Sequence, residues 1–339
     1  MRIVLVDDSM LVRGMVKTML ESLGGYDVVG EAATGKKGIE VVRQLKPDLL
    51  LMDINMPEMD GITATGILMK ESPLPIVILT SEDVGSIGYM ALNNGAVEVV
   101  PKPDIYQMND PEFLENLKNI LDHAVRFSSF RFQSHPTSPS AVTPMGISAA
   151  KPGRKIRIVV IGASTGGPSA VRIVLSGLPA DFPVPILISQ HIEEGFDGGY
   201  AEWLDESVSL KVRLAKDYDN LNAGSVLIAP ATRHLLCSES SVMLDDGPRV
   251  DNQKPSVNKM FSSASKAFGA GVLGVLLTGM GRDGSLGCLD IVKGGGITLI
   301  QDEESSMIYG MPKAAVELQA ASVVLPLDSI AAEIIRRVG

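Results

Sequence analysis

The sequence predicts two α/β domains, each built round a mainly parallel β-sheet and joined by a Ser/Pro-rich linker. Short runs of Val, Ile and Leu alternate with stretches of helical periodicity in both halves of the chain, as in sheets that are buried on both faces. The 339 residues are too many for one ordinary core. Hydrophobic residues make up 45% of the chain and aromatic residues only 4%, so we expect both cores to be aliphatic.

Residues 1–127 are predicted to form the first domain, a doubly wound sheet of five strands. The strands are expected at Ile3–Val6, Val28–Ala32, Leu49–Met52, Ile76–Leu79 and Val97–Val100. Helical spacing occurs between and after them, for example over Ser9–Ser22, Gly35–Gln44 and Asp110–Arg126. Strands that alternate with helices indicate parallel pairing, which gathers functional groups at the carboxyl ends of the strands.

A linker is predicted over residues 128–155, where Ser, Thr and Ala are frequent and four prolines interrupt regular structure. The strand–helix pattern resumes over residues 156–339, the predicted second domain. Its candidate strands are Ile156–Ile161, Pro185–Ser189, Ser225–Ala229, Val272–Leu277 and Gly296–Ile300. Its candidate helices include Pro168–Ser176, Asn258–Ala267 and Lys313–Leu318. Residues between Leu227 and Met243 are expected to add a small antiparallel hairpin.

Charge and targeting signals narrow the class of protein. The formal net charge is -10 at pH 7, which argues against binding to nucleic acid, because that requires a basic face. The chain begins with a predicted strand and not with a signal peptide, and no apolar run approaches the ~20 residues that span a bilayer. Cys237 and Cys288 lack metal-binding spacing and are expected to be reduced thiols. We therefore expect a cytoplasmic protein without direct membrane insertion.

Charged and polar residues follow the strands of the first domain at the points where the strands end. Asp7 and Asp8 follow the first strand, Asp53 ends the third, Thr80 ends the fourth and Lys102 follows the fifth. Parallel strands bring these ends to one edge of the sheet, so the side chains are expected to converge. Closely spaced carboxylates repel one another unless a cation lies between them, and Mg²⁺ accepts such oxygen ligands.

Phosphoryl transfer to Asp53 is the chemistry that fits this pocket. We expect Mg²⁺ to bind Asp8, Asp53 and the backbone carbonyl of Asn55. Lys102 would pair with the phosphoryl oxygens, and Thr80 would hydrogen-bond the new phosphate and move.

The pocket resembles the receiver domain of two-component response regulators, which has a flavodoxin-like fold. The matching motifs are Val-Asp-Asp-Ser (6–9), Met-Asp-Ile-Asn-Met-Pro-Glu-Met-Asp-Gly (52–61), Leu-Thr-Ser (79–81) and Pro-Lys-Pro (101–103). By this resemblance Asp7 supports the phosphorylation site. Many receivers carry an aromatic residue a few positions before the lysine, and this residue rotates on activation. This chain has Val99 in that region, so an aromatic switch is not predicted there.

A glycine-rich turn at residues 162–168, Gly-Ala-Ser-Thr-Gly-Gly-Pro, joins a strand to a helix in the second domain. It fits G-x-S-x-G, the elbow that exposes a nucleophilic serine, here Ser164. N–H groups at the start of the following helix would lie beside that serine, ready to bind an oxyanion. A phosphate-binding loop or a dinucleotide loop is the competing interpretation. The lysine of the first and the glycine spacing of the second are both missing.

A nucleophilic serine needs a histidine as base and a carboxylate that orients the histidine. His191 follows a strand, as Ser164 does, and is the favoured base, whereas His234 in the hairpin is expected to be structural. Asp283 is the only acid in a second glycine-rich loop, residues 277–284. The order Ser164, His191, Asp283 differs from that of α/β-hydrolases and argues against that fold.

These motifs resemble the protein-glutamate methylesterases of bacterial chemotaxis, the CheB family, over nearly the whole chain. The second domain shares Gly-Ala-Ser-Thr-Gly-Gly-Pro (162–168), Gln-His (190–191), Ile-Ala-Pro (228–230), Lys-Pro-Ser-Val (254–257), Leu-Thr-Gly-Met-Gly-Arg-Asp-Gly (277–284), Gln-Asp-Glu (301–303) and Tyr-Gly-Met-Pro (309–312).

The resemblance implies an esterase that demethylates glutamate γ-methyl esters on the cytoplasmic helices of methyl-accepting chemotaxis receptors. Deamidation of receptor glutamine would be a second activity. Backbone N–H groups of Thr165 and Met280 would form the oxyanion hole. The unphosphorylated receiver would cover the catalytic face until a CheA-type histidine kinase phosphorylates Asp53. Mg²⁺ in the receiver is the expected cofactor, and none is expected for the esterase.

Two departures from the family lie near the predicted site. The family usually continues after the histidine with Met-Pro and then Phe-Thr, whereas residues 192–199 here are Ile-Glu-Glu-Gly-Phe-Asp-Gly-Gly. Asn258 stands where the family often has Asp. Two explanations of the altered loop sequence stay open. One is neutral drift on an exposed loop, and the other is a changed partner in a paralogue that serves a non-chemotaxis pathway.

Two other function classes compete with the enzyme. The first is a non-catalytic, phosphorylation-dependent interaction module, and the complete Ser/His/Asp set argues against it. The second is transcriptional control through DNA binding, which is usual for receiver proteins. The acidic charge and the lack of a helix-turn-helix signal argue against this class.

Overall fold

The structure is a computed structural model that describes residues 1–80, 85–133 and 155–339. These residues form two compact units, one within Met1–Thr137 and one within Ser138–Gly339. Ser81 of the Leu-Thr-Ser motif and residues 134–154 of the predicted linker lie outside the described residues. No helix of the described residues is long and apolar enough to cross a membrane.

The first unit is a five-stranded sheet flanked by helices. Its strands are β1 (Arg2–Val6), β2 (Asp27–Ala32), β3 (Leu49–Asp53), β4 (Ile76–Thr80) and β5 (Glu98–Pro101). Its helices are α1 (Met10–Leu23), α2 (Gly35–Leu45), α3 (Gly61–Glu71), α4 (Gly85–Asn93) and α5 (Pro111–Gln133). The strand order is β2-β1-β3-β4-β5 and every pairing is parallel, which confirms the predicted doubly wound sheet.

Helix α5 continues beyond residue 127, where the predicted first domain ends. Residues 128–133 of the predicted linker are therefore helical. The sequence has no proline between Pro111 and Pro136, so nothing removes a backbone N–H or forces a kink in this segment.

Side-chain caps fix the loops at the carboxyl edge of the first sheet. Helices α1, α2 and α3 are capped by the residues just before them, Ser9, Thr34 and Asp60, whose side chains accept hydrogen bonds from N–H groups of the first helical turn. Each cap lies in the loop that follows a strand end. The strands β3 and β4 are buried at every position, as their aliphatic runs predict. The loops that carry the polar residues therefore rest on a rigid sheet.

The second unit is built on a seven-stranded sheet. Its strands are β6 (Ile158–Ala163), β7 (Ile186–Gln190), β8 (Lys211–Leu214), β9 (Ser225–Ile228), β12 (Val272–Leu276), β13 (Ile297–Gln301) and β14 (Val323–Leu325). Its helices are α6 (Gly167–Ser176), α7 (Asp197–Ser207), α8 (Val257–Phe268), α9 (Ser285–Lys293), α10 (Met311–Glu317) and α11 (Leu327–Val338). The order is β14-β13-β12-β6-β7-β9-β8, and all pairings are parallel. The parallel-sheet class predicted for this unit is confirmed.

Two strands and the exact hairpin pairing escaped prediction. The strands β8 and β14 lie at the two edges of the sheet, are short and are only partly buried, so they lack a clear aliphatic run. The predicted antiparallel hairpin exists, but it pairs β10 (His234–Cys237) with β11 (Val242–Asp245). Leu227, where the predicted hairpin begins, belongs instead to the parallel strand β9.

Candidate functional sites

The acidic pocket of the first unit lies at the carboxyl ends of β1, β3 and β5. Lys102 Nζ is 2.9 Å from Asp7 Oδ2 and 2.9 Å from Asp53 Oδ2. Asp7 and Asp53 are buried, whereas Asp8 is exposed. One carboxylate oxygen from each of the three aspartates lies within 4.8 Å of the others. The structure thus brings together the three carboxylates and the ammonium group that the strand ends predict.

The pocket holds more negative charge than Lys102 compensates. Burial raises the pKa of Asp53; the hydrogen bond from Lys102 opposes this, the charge of Asp7 adds to it, and the net direction is upward. Burial alone would lower the pKa of Lys102, but its two carboxylate partners outweigh burial and raise it. Three converging carboxylate oxygens fit a hard divalent cation such as Mg²⁺, which would relieve the excess charge.

Thr80 and Asn55 border this pocket. Thr80 is buried at the end of β4, and its carbonyl accepts a hydrogen bond of 2.7 Å from the Lys102 N–H. Asn55 lies exposed in the loop after β3. That loop closes tightly, because the Gly61 N–H donates to the Ile54 carbonyl at 2.9 Å. A Cβ on Gly61 would overlap the Asp53 carbonyl, so only glycine fits there.

In the second unit, Ser164 lies in the predicted turn between β6 and α6 and is half-buried. Its N–H donates to the Thr278 carbonyl at 3.0 Å, and its own carbonyl accepts from Gly167 N–H at 2.7 Å and from Gln190 Nε2 at 2.8 Å. Gly166 has a φ of 75°, the left-handed conformation that makes the turn sharp. The backbone of Ser164 is thus fixed from both sides, while its side chain takes part in none of these bonds.

His191 and Asp283 form the hydrogen-bonded pair that the predicted triad requires. His191 Nε2 is 2.9 Å from Asp283 Oδ2. The His191 N–H donates to the carbonyl of Ala163, the residue before Ser164, at 3.0 Å. Nδ1 of His191 is buried and has no hydrogen-bond partner within the described ranges. Nε2 of the ring therefore faces the carboxylate, and Nδ1 is left available to accept a proton. The Ser164 hydroxyl is therefore not hydrogen-bonded to this ring. In structures without substrate, the contact between a catalytic serine and its histidine is often long and tightens only when substrate binds.

Asp283 accepts five hydrogen bonds. Its Oδ2 accepts from His191 Nε2 and from the Val257 N–H at 2.7 Å. Its Oδ1 accepts from Ser256 Oγ at 3.0 Å, the Asn258 N–H at 2.9 Å and the Gly284 N–H at 2.9 Å.

These donors keep the Asp283 carboxylate charged. Burial would raise the pKa of Asp283, but the hydrogen bond and charge of His191 and the backbone N–H groups of Asn258 and Val257 lower it overall. Ser256 is the N-cap of α8, so the carboxylate also lies at the positive end of a helix.

The two loops expected to form the oxyanion hole are held against each other. Thr278 Oγ1 donates to the Thr165 carbonyl at 3.0 Å, and a Cβ on Gly279 would lie 2.6 Å from the Cβ of Ser164. The Gly279 carbonyl accepts from the Met311 N–H at 2.8 Å, which fixes the backbone just before Met280. The Thr165 N–H donates to no acceptor in the part of the chain that is described. This N–H can therefore receive an oxyanion.

His234 has a structural environment, in line with its predicted role. It is fully buried, its Nδ1 accepts from the Ser256 N–H at 3.0 Å and its Nε2 lies 2.9 Å from the Pro248 carbonyl. Burial lowers the pKa of His234. Both ring nitrogens are engaged, so neither serves as a proton shuttle.

Sequence reasoning assigned no role to Ser256, Gln190 or Gln301. Gln190 and Gln301 end β7 and β13 as buried polar side chains, and Gln301 Oε1 accepts from the Thr278 N–H at 2.8 Å. A buried amide at the end of an aliphatic strand must find hydrogen-bond partners, and that is the signal that points to such residues. Ser256 carries no comparable signal, because a serine before a helix reads as an ordinary cap.

An acidic pocket at the strand ends of one unit, and a serine turn and a His–Asp pair in the other, are the arrangement expected of a serine hydrolase linked to a phosphoacceptor domain. Comparison with known families agrees. Residues 159–334 match the family described as CheB methylesterase, and residues 3–123 match the response regulator receiver domain. The chain belongs to the CheB methylesterase family.

Its relatives share almost the full length. A protein of Anaeromyxobacter dehalogenans is 40% identical over 97% of this chain and 94% of its own length. One of Geobacter metallireducens is 37% identical over 97% and 96%. Both are named protein-glutamate methylesterase/protein-glutamine glutaminase. The crystal structure of the Thermotoga maritima CheB methylesterase catalytic domain covers 54% of this chain and 98% of its own, with 34% identity and a TM-score of 0.52.

Proposed function

We infer that this chain is a phosphorylation-activated esterase that removes methyl groups from glutamate γ-methyl esters of methyl-accepting chemotaxis receptors. Deamidation of receptor glutamines is the second activity. The hydrogen bond between His191 and Asp283, at the edge that carries the Ser164 turn, supports this function most directly. The names of the full-length relatives support the same substrate class. The reaction takes place in the cytoplasm, where the receptor helices carry the modified glutamates.

Each triad residue has a defined step in this mechanism. Ser164 Oγ attacks the ester carbonyl while His191 Nδ1 takes the hydroxyl proton, and Asp283 stabilises the imidazolium that forms. The N–H groups of Thr165 and Met280 stabilise the tetrahedral oxyanion. His191 returns the proton to the leaving oxygen, which departs as methanol. Water then hydrolyses the acyl-enzyme to glutamate through the same base. A glutamine side chain reacts in the same way and releases ammonia.

Phosphorylation of Asp53 by a CheA-type histidine kinase controls the esterase in this proposal. The carboxylates of Asp8 and Asp53 and the carbonyl of Asn55 would hold Mg²⁺, which neutralises charge on the phosphoryl group. Asp7 shares Lys102 with Asp53, and Lys102 can turn to the phosphoryl oxygens. Thr80 would then hydrogen-bond the phosphate, and the phosphorylated receiver would no longer inhibit the esterase.

Methanol release from a methylated receptor, with and without a phosphodonor, tests the function. The Ser164→Ala variant should lose activity by at least about 10³-fold, because the nucleophile is gone. Ser169→Ala is the matched control: Ser169 is also half-buried, lies on α6 and has no part in the proposed mechanism. Undiminished activity in Ser164→Ala would remove the triad assignment. Methanol release from a different methylated protein alone would favour a paralogue of another pathway.

A further inference from the structure

The β10–β11 hairpin contributes a buried histidine to a line of hydrogen bonds that ends at the catalytic base. The line runs from the Pro248 carbonyl to His234, then through Ser256 and Asp283 to His191. Every contact along it is between 2.9 and 3.0 Å. His234 and Ser256 are fully buried, so water does not compete for these bonds. The hairpin therefore connects directly to the active site.

The protons along this line have one consistent arrangement. His234 Nδ1 accepts the Ser256 N–H and carries no proton, so Nε2 carries the ring proton and donates it to Pro248. Ser256 Oγ accepts the Lys259 N–H at 3.4 Å as the cap of α8. Its one hydroxyl proton is then available for Asp283 Oδ1.

This arrangement determines how the Asp283 carboxylate faces His191. The Val257 N–H binds Oδ2 and the Ser256 hydroxyl binds Oδ1, so the start of α8 holds both carboxylate oxygens. A carboxylate fixed at both oxygens cannot rotate away from His191 Nε2. His234 holds the Ser256 backbone in turn, because Nδ1 is the acceptor for its N–H. A displaced Ser256 would therefore disturb the hydrogen bonds that hold both carboxylate oxygens of Asp283.

We propose that Ser256 and His234 are positioning residues of the esterase: His234 fixes Ser256, and the Ser256 hydroxyl orients Asp283 for His191. The inference rests on the proposed function of the triad. Both residues are fully buried and out of reach of a substrate at the surface, so their loss should slow the chemical step without weakening substrate binding. Oδ1 keeps two backbone N–H donors without the hydroxyl, so the loss is partial.

Variants of Ser256 test the hydroxyl. Ser256→Gly removes the hydroxyl, and glycine is nearly as good an N-cap residue as serine, so the fold should persist. We expect kcat to fall about tenfold, the scale of one hydrogen bond to a charged group, with KM unchanged. Ser256→Thr restores a hydroxyl and should recover most of kcat. A purely structural role would lower the unfolding temperature and leave the kcat of the folded protein intact.

A matched pair at His234 tests the second link. His234→Asn places an acceptor near the position of Nδ1 and should keep more activity than His234→Leu, which has none. The control is Ser263→Ala, because Ser263 also joins α8 to β10, through the Cys237 N–H at 3.1 Å, but does not contact Asp283. Ser263→Ala should lower stability and keep kcat.

The outcomes separate the two proposals. An active parent protein whose Ser256→Gly variant keeps full kcat would overturn this inference alone. The same holds if His234→Leu and His234→Asn are equally active. A parent protein that releases no methanol would overturn the proposed function, and the positioning role with it.

Discussion

Each unit has a buried aspartate beside the carboxyl end of its sheet, and the two carboxylates are held in opposite ways. Asp53 and Asp283 are each 2% exposed. Asp53 shares one cation, Lys102, with Asp7, and its pKa is raised by burial in spite of that cation. Asp283 has five hydrogen-bond donors, which lower its pKa in spite of burial.

Equal burial therefore does not shift the two pKa values in the same direction. The number of donors that face the carboxylate decides the direction. An undercompensated carboxylate suits Asp53, because that site is expected to gain a cation and a phosphoryl group. A fully compensated carboxylate suits Asp283, because it must stay ionised and only orient a histidine. The same substitution at both positions should thus have different consequences.

The largest effect is expected from Asp283→Asn. The amide places an NH₂ group among five donors, so it can no longer accept all of them or fix the His191 ring. By analogy with other triads, kcat for methanol release should fall about 10⁴-fold. Stability should fall by roughly 1–3 kcal/mol, because buried donors lose acceptors. Kinetics and calorimetry measure both quantities. A variant with near-normal kcat would show that Asp283 is not the orienting carboxylate.

Asp53→Asn should instead leave stability unchanged or improve it. The substitution removes a carboxylate whose charged form the fold disfavours, and Lys102 keeps Asp7 as a partner. The activity ratio with and without a phosphodonor should fall to about one, because the variant lacks the proposed phosphoacceptor. Ser22→Ala, in the last turn of α1 at the opposite end of that helix from Asp7 and Asp8, is the control and should keep the response. A strong destabilisation by Asp53→Asn would contradict the contrast between the two sites.

Mg²⁺ should stabilise the first unit in a pH-dependent way. The pKa of Asp53 is raised in the folded state, so its stabilising contribution is present below the ordinary carboxyl pKa of 3.8 and is lost as pH rises through the folded pKa. Mg²⁺ replaces the missing compensation, and at 100 times its dissociation constant it contributes about 2.7 kcal/mol. Calorimetry should show a larger Mg²⁺ effect at about pH 7 than at about pH 4, close to the ordinary carboxyl pKa. Asp8→Asn should weaken the effect, and an equal effect at both pH values would contradict the prediction.

The two aspartates also differ in how far the sequence reveals their surroundings. The partners of Asp53 all follow strand ends of a regular parallel sheet, so the pocket of Asp7, Asp53 and Lys102 could be predicted from strand positions alone. Three of the five donors to Asp283 come from the start of α8, about 25 residues earlier in the chain. No pattern of spacing marks that contact, because tertiary packing creates it.

The fold likewise has parts that the sequence predicts and parts that it does not. Strands with long aliphatic runs were predicted correctly, whereas β8 and β14 were missed because edge strands bury little. The hairpin was expected, but its pairing and its contact with the active site were not. In the sequence, nothing distinguishes His234 from the other three histidines as a neighbour of the active site. Only its hydrogen bonds to Ser256 and Pro248 show how it is connected to that site.

The smallest expected effect concerns the side chain of Asn258, whose backbone N–H is one of the donors to Asp283. Asn258 Oδ1 accepts from the Gly287 N–H at 2.8 Å, and its Nδ2 donates to Asp251 Oδ2 at 3.1 Å. Asn258→Asp would place a second carboxylate against Asp251, at a cost of about 1 kcal/mol. Its backbone N–H still reaches Asp283, so kcat should change less than about threefold. Adding Asp251→Asn should restore stability, since Asn suits the φ of 50° at that position. Thermal unfolding of the single and double variants measures this coupling, and additive losses would show that the two side chains do not interact.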